Sequence, residues 1–131
     1  MTPYTIYEAS GRILRTGYCP TDHVELQVQD GESALLVESN DAAQYVVDGA
    51  VVDRPDMGVT LPTTATADGT TETIIAAVPI GAHVHVFGPT SMDGTTEAAG
   101  DVVLTFALPG DYTVSILCFP FVDVAGVIHA A

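Results

Sequence analysis

Apolar and polar residues alternate with a period of two along much of this chain. A half-buried β-strand imposes that pattern, because its successive side chains point to opposite faces. The clearest stretch is Asp101–Cys118. In its first half Val102, Leu104 and Phe106 fall on one side and Val103, Thr105 and Ala107 on the other. In its second half Tyr112, Val114, Ile116 and Cys118 alternate with Thr113, Ser115 and Leu117. β-branched and aromatic residues fill these positions, which favours strand over helix. Between the halves, Leu108-Pro109-Gly110-Asp111 supplies turn chemistry: proline presets φ and glycine accepts φ > 0. The stretch predicts two strands folded back on each other.

The same pattern predicts strands at Pro3–Tyr7 and Arg12–Gly17, around Ala9-Ser10-Gly11. A hairpin is expected next, in which Val24, Leu26 and Val28 alternate with Glu25, Gln27 and Gln29 before Asp30-Gly31 turns the chain into Ala34–Glu38. Asp41–Tyr45 allows one helical turn at most. Gln44–Val47 and Ala50–Asp53 flank Asp48-Gly49, a dipeptide suited to the type I′ hairpin turn. Residues 1–57 thus read as a β-meander of hairpins. Residues 58–70 are rich in Thr, Pro, Ala and Gly and read as a linker. Residues 71–131 read as a second domain, with strands at Thr73–Val78 and Ala82–Phe87 joined at Pro79-Ile80-Gly81. An exposed loop at Gly88–Gly100 follows, with a hairpin signal at Asp93-Gly94, and an edge strand is expected around Val124–His129 behind Phe119-Pro120-Phe121. The predicted fold is all-β: an N-terminal β-meander module followed by a small C-terminal β-sandwich.

Composition narrows the partners. A chain of 131 residues holds one ordinary domain or two small ones, and 47% hydrophobic residues suffice for a core. Seventeen acidic residues face only Arg12, Arg15 and Arg54, with no lysine, for a net charge of −14. Phosphate backbones need Lys or Arg to replace their counterions, so nucleic acid is excluded as a partner. An anionic membrane surface is disfavoured for the same reason. The N-terminus lacks a basic segment followed by an apolar one, so no Sec signal is expected. No apolar run reaches the roughly 20 residues of a membrane span. Cys19 and Cys118 lie far apart and read as two buried free thiols, the default for a chain made in a reducing cytoplasm.

Candidate chemistry is sparse. His83 and His85 stand at i and i+2, so both rings project from one face of a strand and could take a metal through neutral imidazole. No third ligand stands beside them in sequence; His129 or Glu97 would have to be brought in by the fold. The simpler expectation is an unliganded, solvent-facing pair opposite buried Val84 and Val86. Asp93, Glu97 and Asp101 lack the spacing of a calcium loop and read as solvated acids. Neither cysteine lies in an activating context, and Ser10 and Ser91 sit in no nucleophile elbow. No phosphate-binding glycine loop occurs. The expectation is a protein without catalytic, cofactor-binding or metal residues, and not an enzyme.

The run Leu108–Val114 (LPGDYTV) resembles a strand of immunoglobulin-like and carboxypeptidase-regulatory-like sandwich domains. In those domains a tyrosine near the strand start packs inward and bonds backbone upstream. That likeness implies an immunoglobulin-like C-terminal sandwich and speaks to fold, not activity. A wider resemblance rests on Ile6-Tyr7, Gly11-Arg12-Ile13-Leu14, Leu26-Gln27, Gly31-Glu32, Tyr45-Val46, Asp48-Gly49 and Arg54-Pro55. Val78-Pro79-Ile80-Gly81-Ala82, Leu104-Thr105-Phe106 and Phe119-Pro120-Phe121 extend it into the second half. Together they resemble small virion proteins of tailed bacteriophages, from the tail and tail-fibre region. The resemblance implies a structural component of the virion, made in the host cytoplasm and acting through assembly contacts with other tail or fibre subunits. It implies homo-oligomers with the tail's cyclic symmetry, and it carries over no catalytic residue. The alternatives are a head decoration protein and a module binding host-surface glycan, with Tyr4, Tyr7, Tyr18 or Phe87 as stacking platforms.

Overall fold

In a computed structural model describing residues 1–131, strands form where the alternation is strongest, and the chain is all-β apart from one short 3-10 helix. It divides into two compact units, Met1–Pro55 and Asp56–Ala131. No helix is long and apolar enough to cross a membrane.

The first unit contains β1 (Thr2–Glu8), β2 (Ile13–Cys19), β3 (Glu32–Leu35), β4 (Gln44–Val47) and β5 (Ala50–Asp53). Its sheet has the order β2-β1-β3, and β4 and β5 form a separate hairpin. This is not a sequential meander, because β3 returns to pair with β1 and leaves β1 central. The hairpin turn at Asp48-Gly49 takes φ of 50° and 77°, as a type I′ turn requires. Val24–Gln27 of the expected hairpin strand instead lies in a 3-10 helix, Thr21–Gln27, and only Val28 beyond it is extended. Pro20 presets its entry and accepts the His23 N–H at 2.8 Å. Three residues per turn bury Val24 and leave Leu26 76% exposed, so the two do not share a face. Gly11 has no alternative residue: its φ is +90°, and a Cβ would stand 2.2 Å from the Val46 carbonyl oxygen.

The second unit contains β6 (Thr64–Ala65), β7 (Thr73–Val78), β8 (His83–Phe87), β9 (Met92–Thr95), β10 (Gly100–Leu104), β11 (Gly110–Leu117) and β12 (Val124–Ala130). A five-stranded sheet of order β6-β12-β11-β8-β9 accompanies a two-stranded sheet, β10-β7. Their apolar faces share one core: Ile75, Val78 and Leu104 from the small sheet join Val84, Val86, Tyr112, Val114, Ile116 and Ile128 from the large one. The arrangement is sandwich-like.

Four expectations change here. Asp101–Cys118 has the predicted inward face, with Phe106, Tyr112, Val114 and Ile116 fully buried. Its two strands are not a hairpin, however: β10 pairs with β7, while β11 pairs with β8 and β12. The chain crosses from one sheet to the other at Thr105–Pro109. Likewise β7 and β8, on either side of Pro79-Ile80-Gly81, belong to different sheets. Asp93-Gly94 is no turn but lies inside β9. β12 is not an edge strand throughout, since β6 pairs in parallel with its last residues.

The stretch at 58–70 is not a free linker. Every second residue from Met57 to Leu61, and then Ala65 and Ala67, packs on the core of the second unit. Leu61 lies over Gly126, where a Cβ would approach its Cδ1 to 3.0 Å. The Ala67 and Gly69 N–H groups donate to the Ala131 and Phe106 carbonyls, and the His129 N–H to the Thr63 carbonyl. The Thr, Pro and Gly content masked a period-two apolar stripe.

Candidate functional site

Two features of the second unit stand out, both built on β9. The first is a groove. β9 has a strand partner only in β8, and β10 only in β7. Between these two single-sided strands the core opens into a cavity of about 220 Å³, lined by Val84, Val86, Met92, Gly94, Val102 and Leu104 among others. Its origin is local. Gly94 sits opposite Val84 in the ladder and offers the core no side chain, and a Cβ built there meets nothing within 4 Å. The volume falls below the roughly 300–1,000 Å³ of pockets for drug-sized ligands and suits one or two apolar side chains.

The second lies on the opposite face of the same strands. Val84 and Val86 point inward, which sends His83, His85 and Phe87 outward. The His83 and His85 rings stack with centroids 4.3 Å apart and planes 22° apart, and Phe87 continues the row at 6.1 Å from His85. In the ladder Asp93 lies directly across from His85, and Thr95 across from His83. The Asp93 carboxylate is thereby placed against both rings: Oδ1 is 2.8 Å from His83 Nε2, and Oδ2 is 3.5 Å from His85 Nδ1. One ligand atom from each of His83, His85 and Asp93 falls within 4.8 Å of the others. Thr95 Oγ1 stands 3.4 Å from His83 Nδ1.

The third group that joins the histidines is therefore Asp93, not His129 or Glu97. His129 is engaged elsewhere, its Nδ1 2.6 Å from Asp111 Oδ1. Asp101 accepts the Ala77 N–H at 3.3 Å rather than joining Asp93 and Glu97 in an oxygen cluster. In sequence Asp93 read as a turn residue and a solvated acid, because its partnership with His85 depends on pairing between β8 and β9. Both cysteines are buried free thiols. Among the aromatic platforms, Tyr18 and Phe87 are more than half exposed. Tyr4 pairs with Gly17 and Tyr18 with Pro3, which puts the two tyrosines on opposite faces of the β1–β2 ladder.

Perturbed charge is found away from these features. Asp68 accepts the Thr71 hydroxyl at 2.5 Å and the Thr71 and Thr70 N–H groups at 2.7 and 2.9 Å, which holds its carboxyl well below its ordinary value of 3.8. The Arg15 guanidinium grips Glu32 through both nitrogens and also donates to the Gln27 carbonyl, raising its own pKa and lowering that of Glu32. These are hydrogen-bonded turns and ties that hold loops in place. Comparison with protein-family models, with curated proteins and with solved structures finds no match for this chain.

Proposed function

We propose that the protein is a non-enzymatic structural component of a tailed-phage virion, in the tail or tail fibre, and that it works by strand addition to a neighbouring subunit. The observation that carries the strand-addition mechanism is the groove between β9 and β10, an apolar opening flanked by two strands each paired on one side only. An unpaired strand edge presents a row of N–H and C=O groups that another chain can complete. Apolar pockets beside such an edge then select alternate side chains of the incoming strand. In this account an extended segment of the adjoining subunit lies along β9 or β10 and sets an apolar side chain over Gly94.

The virion setting draws its support from the resemblance at residues 4–55 and 72–121, and the charge of −14 is compatible with a crowded but soluble assembly. Within that setting we take the sandwich as immunoglobulin-like. Tyr112 at the start of β11 donates its hydroxyl to the Leu108 carbonyl at 2.8 Å, the upstream bond that a tyrosine corner makes.

Mass spectrometry and electron microscopy of purified particles test the proposal. The parent chain should be a stoichiometric component at a fixed place in the tail. Gly94→Val should fold normally, fill the groove and no longer be incorporated. Absence of the parent chain from particles would remove the virion role; unchanged incorporation of Gly94→Val would remove the groove from the mechanism.

A further inference from the structure

We infer that His83, His85 and Asp93 form a binding site for a divalent transition-metal ion of the zinc class, bordering the groove at Asp93 but not resting on any role in a virion. Two imidazoles and one carboxylate are a donor set that such ions accept. Each residue is brought there by a different feature of the β8–β9 pair. The i, i+2 spacing puts both rings on the outer face, and the register sets Asp93 opposite His85.

The three side chains stand close enough to converge on one ion. Ligand atoms about 2.0–2.2 Å from a tetrahedral zinc stand about 3.3–3.5 Å from one another. His83 Nε2 stands 2.8 Å from Asp93 Oδ1 and His85 Nδ1 3.5 Å from Asp93 Oδ2, so the two rings meet different oxygens of one carboxylate. A tetrahedral ion takes one oxygen from Asp93, and one ligand atom from each of the three residues lies within 4.8 Å of the others. The Asp93 side chain is 61% exposed and has room to turn one oxygen toward the ion. With Nε2 turned to the ion, His83 Nδ1 carries the proton and faces Thr95 Oγ1 at 3.4 Å. An acceptor on the far side of a ligating imidazole holds it in the required tautomer. Three protein ligands leave a fourth position facing solvent, open to water or to a donor from another molecule. The strongly acidic chain favours a cation at this face.

The rival arrangement is a simple His–Asp hydrogen bond with no metal, and titration separates the two. Zinc chloride added to the metal-stripped, full-length chain in a calorimeter should bind at one ion per chain. His83→Gln, His85→Gln and Asp93→Asn should each weaken binding by at least about tenfold, the loss typical even of outer-shell changes. His83 and Asp93 are 45% and 61% exposed and His85 is half-buried on the outer face, so the zinc-free variants should stay folded and melt close to the parent. His129→Gln, at the other histidine–aspartate pair, should bind zinc like the parent. Diffraction from zinc-soaked crystals at the zinc absorption edge should place an anomalous peak between the two rings and Asp93. No binding by the parent, affinity unchanged in the three variants, or a peak only elsewhere would each overturn the site.

Discussion

Truncating Tyr112 should strongly destabilise Asp56–Ala131 and leave the stability of Met1–Pro55 unchanged. The ring is fully buried and packs on Phe106 with centroids 4.5 Å apart and planes tilted by 49°. Its hydroxyl donates to the Leu108 carbonyl at 2.8 Å. Gly88 is pressed against the same ring so closely that a Cβ there would lie 2.6 Å from Cδ1. Tyr112→Phe keeps the ring and removes one hydrogen bond, which costs about 1 kcal/mol, and more if the Leu108 carbonyl is left without a partner. Tyr112→Ala removes the ring as well. Aromatic truncations in well-packed cores cost about 3–5 kcal/mol, and the tilted contact with Phe106 accounts for about 0.5–1.5 kcal/mol of that. A unit of this length has a total stability of about 4–11 kcal/mol, so the alanine variant should lose a large part of it or all of it. Urea denaturation of the full chain, followed by circular dichroism and by amide NMR signals assigned to each unit, measures both effects. A double-mutant cycle with Phe106→Leu should return the aromatic coupling. A cost below about 1 kcal/mol for Tyr112→Ala would mean that the ring is not in the core. The inward phase assigned to β11 would then be wrong.

Three further outcomes are expected. Ala77, in the bulge where β7 and β10 slip register, holds φ at +58°, a conformation costly for a residue with a Cβ. Ala77→Gly should therefore raise stability by about 0.5–1 kcal/mol in denaturant titration, and destabilisation would show that the bulge is not strained. Asp68 has a folded-state pKa below its unfolded value of 3.8. Its contribution should be complete above that value and be lost as pH falls through the lower folded one. Asp68→Ala should flatten the dependence of melting temperature on pH in that acid range alone, and an unaltered profile would contradict the assignment. Because 63–69 is hydrogen-bonded to Phe106, His129 and Ala131, limited proteolysis should spare it despite its linker-like composition; first cleavage there would show that these bonds open readily.

Much of the architecture was legible from local pattern. Alternation placed the strands and chose the buried face of β11, because a side chain two residues on points the same way whatever the strand's neighbour. Asp48-Gly49 declared its turn, because few residues tolerate two successive positive φ values. The likeness of Leu108–Val114 to a sandwich strand implied an inward tyrosine bonded to backbone upstream, and Tyr112 donates to the Leu108 carbonyl. The 3-10 helix was missed because Val24, Leu26 and Val28 satisfy a strand's period while only a tighter winding buries Val24 alone.

What tertiary structure decided is which strands meet. Asp101–Cys118 carries the same inward alternation whether its halves pair edge to edge or face each other across a core, so local period could not tell a hairpin from a sandwich crossing. The same ambiguity hid the groove and the metal site. Gly94 leaves a gap only because β9 lies over Val84 with no strand beyond it, and Asp93 reaches two histidines only because the β8–β9 register sets it opposite His85. Strand formation is governed by neighbours in sequence, whereas register and sheet partners are set by which distant apolar faces can be buried together.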